Sequence, residues 1–162
     1  MTTTAFITGA TSGIGKATAE IFAAHQIRLV LCGRRKERLL SLQETLQTQT
    51  EVCILDFDVR DKTAVFKAVA SLPESFQNID ILINNAGNAH GLDSIDKGDP
   101  QDWDAMIDIN IKGLLYVSKA ISPQMVARKK GHILNIGSIS AKEVYAGGNV
   151  YCATKHAVDA LN

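Results

Sequence analysis

A glycine-rich segment near the start of the chain, residues 8–15, constrains the fold more than any other feature. The apolar run before it, residues 5–7, predicts a buried strand, and apolar residues at helical spacing after it predict a helix that begins inside the segment. Glycines let the backbone approach a phosphate closely, and a helix N-terminus offers unpaired N–H groups to it. The segment therefore indicates a phosphate-binding turn; the alternative is a tight turn whose glycines serve packing only.

The spacing of these glycines separates the segment from two common phosphate motifs. It reads G-x-x-x-G-x-G rather than the G-x-G-x-x-G of the dinucleotide fingerprint. The pair Gly15 and Lys16 resembles the end of a P-loop, but Ala10 stands where the first glycine of that motif belongs. Ala17 also offers no hydroxyl to a magnesium ion. These two positions exclude a P-loop.

Size, charge and composition exclude several other classes of protein. The net charge is zero, which leaves no electrostatic footprint for nucleic acid, and the basic cluster 128–130 is predicted to be a solvated helix end. No apolar run approaches the roughly 18–20 residues of a membrane span, and the first residues lead at once into a strand, so we expect no signal peptide. Cys32, Cys53 and Cys152 lack C-x-x-C spacing. We expect reduced thiols in a cytoplasmic protein.

Short apolar runs alternate with helical patterns along the whole sequence. The predicted strands cover residues 5–7, 27–32, 52–55, 79–83 and 132–136, and a final helix is predicted to begin near Tyr151. Alternation of this kind, with nearly continuous apolar strands, is typical of a parallel sheet covered by helices on both faces. We predict a doubly wound α/β fold with one domain over residues 1–162, in which a ligand binds at the carboxyl ends of the strands.

Three side chains near these predicted strand ends are candidates for proton transfer. Ser138 follows the fifth predicted strand, and Tyr151 and Lys155 lie four positions apart on the final helix, hence on one face of it. An ammonium beside a phenol stabilises the phenolate, which lets a tyrosine donate or accept a proton near neutral pH. Taken alone, the pair also fits a surface contact in which the tyrosine packs and the lysine is solvated.

Five features together resemble the short-chain dehydrogenase/reductase family. They are residues 8–15, the Asn-Asn-Ala-Gly sequence of residues 84–87, Asn110, Ser138 and the Tyr-x-x-x-Lys sequence of residues 151–155. They occur in the order and at the spacing of that family and cover almost the whole sequence. The resemblance implies an NAD(P)-dependent oxidoreductase with a Rossmann fold and without a metal ion.

The resemblance also implies a role for each matching residue. Tyr151 would be the general acid/base, and Lys155 would assist it while binding the nicotinamide ribose. Ser138 would hold the substrate oxygen together with Tyr151, and Asn110 would position a proton-relay water near Lys155. Besides Tyr151 and Lys155, the implied cofactor-binding residues are Gly9, Thr11, Ser12, Gly13, Ile14 and Gly15 around the pyrophosphate, Asp58 and Val59 at the adenine, and Asn85, Ala86 and Gly87 beside the cofactor.

The end of the second predicted strand indicates which cofactor is used. Dehydrogenases that prefer NAD place an acidic residue there, which binds the ribose 2′-hydroxyl. This sequence has Gly33 followed by Arg34 and Arg35, and a planar guanidinium suits a phosphate group. We therefore predict NADP (NADPH) as the cofactor in preference to NAD. The alternative is that the arginines are only exposed residues at a helix start.

A narrower resemblance, to the 3-hydroxy acid (serine or allo-threonine) dehydrogenase branch, is carried by residues 79–87, 135–138 and 145–151. It implies a small hydroxy acid or carbonyl compound as the substrate. Members of the family are usually longer, and their sixth and seventh strands and substrate lid have no counterpart here. We therefore expect a Rossmann fold truncated after the Tyr-x-x-x-Lys helix. An oxidoreductase and a nucleotide-binding fragment without turnover both stay open, whereas a purely structural module requires five coincidences.

The expected partners follow from the same resemblance. Members of the family pair through two helices around a twofold axis, and Ile111, Leu115 and Ile121 are apolar beyond what one buried helix face requires. We therefore expect a homodimer or homotetramer that acts on a small-molecule substrate. No nucleic acid and no membrane is expected as a partner.

Overall fold

A parallel sheet of five strands forms the centre of the computed structural model, which describes residues 2–162. The strands are β1 (Thr4–Thr8), β2 (Arg28–Gly33), β3 (Val52–Asp56), β4 (Ile81–Asn84) and β5 (His132–Asn135). Their order in the sheet is β3-β2-β1-β4-β5. Each predicted strand is confirmed, with its ends placed within two residues of those predicted.

The direction in which strands are added reverses beside β1. β2 and β3 lie on one side of β1, whereas β4 and β5 lie on the other. Across the reversal Ala5 lies opposite Ile81 and Ile7 lies opposite Ile83. This arrangement confirms the predicted doubly wound α/β fold of the Rossmann type. A fold of this kind binds ligands outside the carboxyl ends of the strands at the reversal point.

Helices connect the strands and cover both faces of the sheet. They are α1 (Gly13–Ala24), α2 (Lys36–Leu46), α3 (Lys62–Ala70), α4 (Pro100–Ile107), α5 (Leu114–Arg128) and α6 (Asn149–Ala160). Two short 3₁₀ turns lie at Glu74–Phe76 and Ile139–Ala141. Within residues 2–162, none of these helices has both the length and the apolar character that a membrane crossing requires.

The alternation of side chains along β1 divides the core into two layers. Ala5 and Ile7 pack with residues of α1 and α2, whereas Phe6 packs on the opposite face with residues of α3 and α5. All three side chains are fully buried. A strand buried on both faces has no reason to alternate apolar and polar residues. This explains why the strands were recognisable as continuous apolar runs.

A π-helical turn, Asp108–Gly113, lies between α4 and α5. Turns of this kind are rare in proteins, and those that occur are often found at functional sites. The turn contains Asn110, whose side chain is only 2% exposed. It ends at Gly113, where a Cβ atom would lie 2.7 Å from Cγ2 of Val59, so the close approach of this turn to the segment after β3 requires a glycine.

The basic cluster at the end of α5 was predicted to be solvated, which holds for the exposed Lys129 and Lys130 but is wrong for the half-buried Arg128. Nη1 of Arg128 and Nζ of Lys130 lie 3.0 and 3.1 Å from Oδ1 of Asp80, and the backbone N–H of Thr4 donates to Oδ2 at 3.1 Å. Burial raises the pKa of Asp80, but the hydrogen bonds from Arg128 and Thr4 and the charge of Lys130 outweigh it. The pKa of this carboxyl therefore lies below its ordinary value.

The apolar residues expected at a subunit interface differ in how far they are exposed. Ile121 is 1% exposed and packs in the core, so its selection as a surplus apolar residue was wrong. Ile111 is half-buried. Leu115 and Val126 of α5 are 43% and 74% exposed, which leaves an apolar surface on this helix.

The three cysteines are free thiols in the structure. Cys32 and Cys152 are buried, and Cys53 is half-buried. Burial raises the pKa of the Cys32 thiol well above its ordinary value, and the nearby Cys53 adds to this effect. Burial likewise raises the pKa of Cys53. Thiols that are held in their protonated form are poor nucleophiles, which fits a packing role for this pair.

Candidate active site

A cavity of about 540 Å³ lies at the carboxyl ends of the strands, at the point where the order of addition reverses. Most of the residues that the sequence analysis selected line it: Gly9, Thr11, Ser12, Ile14, Arg34, Arg35, Asp58, Val59, Asn85, Ala86, Gly87, Tyr151 and Lys155. The fold thus brings residues from opposite ends of the sequence to one place, as expected for the carboxyl edge of a parallel sheet.

Four selected residues do not line the cavity, namely Gly13, Gly15, Asn110 and Ser138. Seven further residues do line it: Gly33, Phe57, Asn88, Ala89, Ile109, Ile136 and Gly137. In the sequence, Gly33 stood out only as the position where an acidic residue is missing. Most of the others directly follow a strand or a selected residue, so their place in the sequence was a usable signal. Ile109 lies in the π-helical turn, which no pattern indicated.

The glycines of the first loop are required by close contacts. A Cβ atom on Gly9 would lie 2.8 Å from Nδ2 of Asn85, and Gly9 has a positive φ of +64° that favours glycine. A Cβ atom on Gly15 would overlap both Nδ2 of Asn85 and the carbonyl oxygen of Gly9. The loop is therefore packed tightly against the segment that follows β4. Such a cradle brings backbone close to whatever occupies the cavity.

The helix α1 begins inside this loop, at Gly13. Ser12 is the residue before the helix, and its side chain makes no capping hydrogen bond. The first turn of α1 also carries no acidic residue that would interact with the positive end of the helix dipole. An uncapped helix N-terminus beside glycine backbone is suited to bind an anion.

Hydrogen bonds fix the loop to the end of β4. The hydroxyl of Thr8 accepts hydrogen bonds from the backbone N–H groups of Asn85 and Ala86, each at 3.0 Å. In return, Nδ2 of Asn85 donates to the carbonyl oxygens of Thr8 at 2.9 Å and Gly9 at 3.1 Å. Thr8 was part of the glycine-rich segment but was not selected as a site residue. Its role is to hold the two sides of the cavity in a fixed relation.

Two arginines form one end of the cavity. Arg35 donates to Oγ1 of Thr11 from Nε at 3.1 Å and from Nη2 at 2.6 Å, and Nη2 also reaches Oγ of Ser12 at 3.0 Å. Nη1 of Arg34 lies 3.6 Å from Oδ2 of Asp58. Both guanidinium groups line the cavity. Arg35 is exposed, but these hydrogen bonds hold its guanidinium against the glycine-rich loop.

Asp58 is held in its charged form. Burial raises the pKa of Asp58, but hydrogen bonds from the side chain and backbone of Arg60, and the charges of Arg60 and Arg34, lower it below its ordinary value. Two of these bonds run from the Arg60 guanidinium to Oδ2, at 3.0 and 2.7 Å. The arginine end of the cavity therefore contains one permanent negative charge among several positive ones.

Tyr151 and Lys155 form the other end of the cavity. They lie on one face of α6, as predicted, and Nζ of Lys155 is 6.0 Å from the centroid of the Tyr151 ring. Lys155 is only 7% exposed, and its ammonium donates to the carbonyl oxygen of Ile136 at 2.8 Å. Burial lowers the pKa of Lys155. A surface contact with a solvated lysine is therefore excluded for this pair.

Asn110 lies directly behind the lysine end of the cavity. Its Oδ1 accepts a hydrogen bond from the backbone N–H of Asn88 at 2.9 Å, and its Nδ2 donates to the carbonyl oxygen of Asn88 at 2.9 Å. Nδ2 also donates to Oγ1 of Thr154 at 3.0 Å. A Cβ atom on Gly87 would lie 3.2 Å from Oδ1 of Asn110 and 3.7 Å from Nζ of Lys155, so Gly87 lies close to both side chains.

Thr154 was missed by the sequence analysis. It is 1% exposed, and its hydroxyl donates to the carbonyl oxygen of Tyr151 at 2.8 Å while it accepts from Asn110. The hydroxyl therefore joins the π-helical turn to α6. Its position directly before Lys155 was the only signal in the sequence that it belongs to the site.

In this structure the Ser138 side chain makes a hydrogen bond within its own loop. Its Oγ accepts a hydrogen bond from the backbone N–H of Ser140 at 3.1 Å and caps the 3₁₀ turn Ile139–Ala141. Its neighbour Gly137 lines the cavity, whereas Ser138 does not. Within residues 2–162, no cluster of three His, Cys, Asp or Glu side chains is arranged to hold a metal ion.

The sequence matches one family model over nearly its whole length. Residues 3–162 match the model described as short chain dehydrogenase. The chain is 46% identical over 149 residues to the NADP-dependent 3-hydroxy acid dehydrogenase YdfG of Salmonella typhimurium. This alignment covers 92% of this chain and 59% of that protein. The chain is also 47% identical over 156 residues to sulfoacetaldehyde reductase of Chromohalobacter salexigens. That alignment covers 96% of this chain and 62% of the reductase.

A solved structure gives the same result for the fold. The closed form of serine dehydrogenase complexed with NADP⁺ superposes with a TM-score of 0.92 at 44% sequence identity. The alignment covers 98% of this chain and 63% of that one. The chain thus spans about 59% to 63% of the length of these three relatives.

Proposed function

We propose, from the premise that this chain belongs to the short-chain dehydrogenase family, that it is an NADP-dependent oxidoreductase acting on a small hydroxy acid or carbonyl compound. One observation carries the proposal. A single cavity joins an anion-binding glycine loop, a pair of arginines and the Tyr151–Lys155 pair. The loop and the arginines suit a phosphorylated nucleotide, and the tyrosine end suits proton transfer to an oxygen.

The residues present fit NADP. The tight cradle of Gly9 and Gly15 and the uncapped N-terminus of α1 would bind the pyrophosphate. Arg34 and Arg35 would bind the 2′-phosphate, since no acidic residue follows β2 to favour a free 2′-hydroxyl. The names of the relatives support this choice, because one is an NADP-dependent enzyme and another holds NADP⁺ in its structure.

When bound, NADPH supplies the hydride for reduction of a carbonyl carbon. The protein supplies the proton. The hydroxyl of Tyr151 would donate it to the substrate oxygen, and the buried ammonium of Lys155 would favour the phenolate that remains. Ser138 would hold the substrate oxygen after its hydroxyl leaves the cap of the 3₁₀ turn. Asn110 would position a water beside Lys155.

Binding of the two cofactors tests the nucleotide part of the proposal. Titration calorimetry of NADP⁺ and NAD⁺ should show tighter binding of NADP⁺ by about ten- to a hundredfold, the value of a charge-assisted hydrogen bond. Arg34→Ala should weaken NADP⁺ binding and leave NAD⁺ binding nearly unchanged, and Gly33→Asp should repel the 2′-phosphate. Arg38→Ala, an exposed arginine of α2 outside the cavity, is the matched control. Equal affinities for both cofactors would contradict the proposal.

The second candidate is a nucleotide-binding protein without turnover. It is favoured by Ser138, whose hydroxyl caps the 3₁₀ turn Ile139–Ala141 and does not line the cavity. NADPH oxidation with a panel of small aldehydes, including semialdehydes of carboxylic and sulfonic acids, distinguishes the two. Binding without oxidation of NADPH by any of them would favour the second candidate.

We also propose that the chain assembles as a homodimer or homotetramer through α5. The exposed apolar residues Leu115 and Val126 on this helix support the assignment. Sedimentation at micromolar concentration measures the assembly, and a monomer would contradict it.

A further inference from the structure

Arg60 is a cation that lies just behind the arginine end of the cavity. Unlike Arg34 and Arg35, it does not line the cavity. Its guanidinium nevertheless donates to Oδ2 of Asp58 from Nε at 3.0 Å and from Nη2 at 2.7 Å, and its backbone N–H donates to Oδ1 at 3.0 Å. Arg60 therefore engages both oxygens of Asp58. Among the described residues that line the cavity, Asp58 carries the only carboxylate.

Arg34 faces the same carboxylate from the cavity side but is held less firmly. Its Nη1 lies 3.6 Å from Oδ2 of Asp58, which is longer than an N–H···O hydrogen bond. Its side chain is 60% exposed, compared with 41% for Arg60. Because Asp58 already has a closer partner, the guanidinium of Arg34 keeps its donors free for an anion in the cavity.

The charge of Asp58 matters because a 2′-phosphate is a dianion or nearly so. An unpaired carboxylate would repel such a group and would also draw Arg34 away from it. Arg34, Arg35 and Asp58 together carry one net positive charge, and Arg60 raises this to two. A nucleotide without the 2′-phosphate is affected little by the repulsion from Asp58 or by the withdrawal of Arg34, because its ribose is uncharged.

We propose that Arg60 is a positioning residue for cofactor selection, which by holding Asp58 leaves Arg34 available to the 2′-phosphate and thereby sets the preference for NADP over NAD. The proposal rests on the proposed function, since it assumes that this end of the cavity receives the adenosine 2′-phosphate. It adds a residue outside the cavity wall to those that determine the preference.

Calorimetric titration with 2′,5′-ADP and 5′-AMP tests this role without any need for turnover. Arg60→Gln should lower the affinity for 2′,5′-ADP about tenfold, as expected for the loss of one charge-assisted contact, and change that for 5′-AMP less than about twofold. Arg60→Lys should restore most of the preference, because an ammonium also neutralises Asp58. Lys62→Gln removes a positive charge two residues along the chain, at the exposed start of α3, and should leave the ratio of affinities unchanged.

A double-mutant cycle with Asp58→Asn separates action through Asp58 from direct action on the phosphate. In the Asp58→Asn background, Arg60→Gln should no longer change the ratio of the two affinities. A persisting tenfold effect there would overturn the proposal, as would an equal loss for both probes in Arg60→Gln alone. A wild-type preference for 2′,5′-ADP that survives Arg60→Gln contradicts this proposal only. A wild-type chain without any preference contradicts the proposed function as well.

Discussion

Nδ2 of Asn110 lies 3.0 Å from the hydroxyl of Thr154. This hydrogen bond joins the π-helical turn between α4 and α5 to the helix that carries Tyr151 and Lys155. Both side chains are buried, so neither can exchange this partner for bulk water. The bond therefore helps to fix the position of α6 relative to the π-helical turn at the lysine end of the cavity.

Replacement of Thr154 by valine should destabilise the chain by about 1–3 kcal/mol, because a buried donor of Asn110 loses an acceptor. Valine keeps the shape of the side chain, so the loss reports on the hydroxyl. Urea unfolding measures the change, and Thr154→Ser is the matched control that should retain most of the stability. A valine variant as stable as the wild type would show that this hydroxyl contributes nothing.

Replacement of Tyr151 by phenylalanine should abolish proton transfer while sparing cofactor binding. The variant loses one oxygen and keeps the ring that lines the cavity. We expect a decrease in the rate of NADPH oxidation by about 10²–10⁴, the usual contribution of a general acid or base, with NADP⁺ affinity within about twofold. The measurements are NADPH oxidation with the best aldehyde of the panel and calorimetric titration. Retained turnover would remove Tyr151 from this role.

Replacement of Gly15 by alanine should destabilise the glycine-rich loop by about 1–3 kcal/mol, the usual cost of overpacking. A Cβ atom there would overlap the Asn85 side chain and the carbonyl oxygen of Gly9, and neither can move freely. The control is Gly137→Ala, where a Cβ atom would meet nothing within 4 Å. Thermal unfolding compares the two variants, and similar midpoints would mean that the loop yields easily.

Replacement of Asp80 by asparagine should cost about 2 kcal/mol at neutral pH, because it removes the charge that Arg128 and Lys130 share. The pKa of Asp80 in the fold lies below its ordinary value of 3.8, so its charged form stabilises the fold above that pH. This contribution is lost as the pH falls through the pKa of the folded state. The stability difference between wild type and variant should therefore shrink in acid.

Urea unfolding at neutral pH and at successively lower pH measures this convergence for Asp80→Asn. Asp96→Asn is the control, since Asp96 is exposed and has no cation within 4.0 Å among residues 2–162. A stability difference that stays constant with pH would mean that the charge of Asp80 is not what stabilises the fold.

The strands and the glycine-rich loop could be predicted because their causes are local. A strand buried on both faces must be apolar throughout, and a turn that crowds its neighbours must contain glycine. The residues that line the cavity followed from the same logic, because the carboxyl ends of parallel strands meet at one edge. Their order in the sheet then fixed which loops face one another.

Partners that are distant in sequence could not be predicted in this way. Asp80 and Arg128 are far apart along the chain, and a basic residue at a helix end looks the same whether or not a carboxylate lies opposite. The π-helical turn left no trace in a helical pattern of apolar residues. Arg60 and Thr154 act through Asp58 and Asn110, so only the three-dimensional contacts reveal them.

The exchange of hydrogen bonds between Thr8 and Asn85 has a consequence for folding on the ribosome. The glycine-rich loop is synthesised first, but the hydrogen bonds that fix it to the end of β4 need Asn85, which is made 77 positions after Thr8. Because the ribosome adds about 5–20 residues per second, several seconds pass between the synthesis of the loop and the exit of β4 from the tunnel. The growing chain therefore cannot form this cavity wall early. Under the proposed function, a nucleotide would stabilise only chains in which β1 and β4 are already paired, so it would act late in folding.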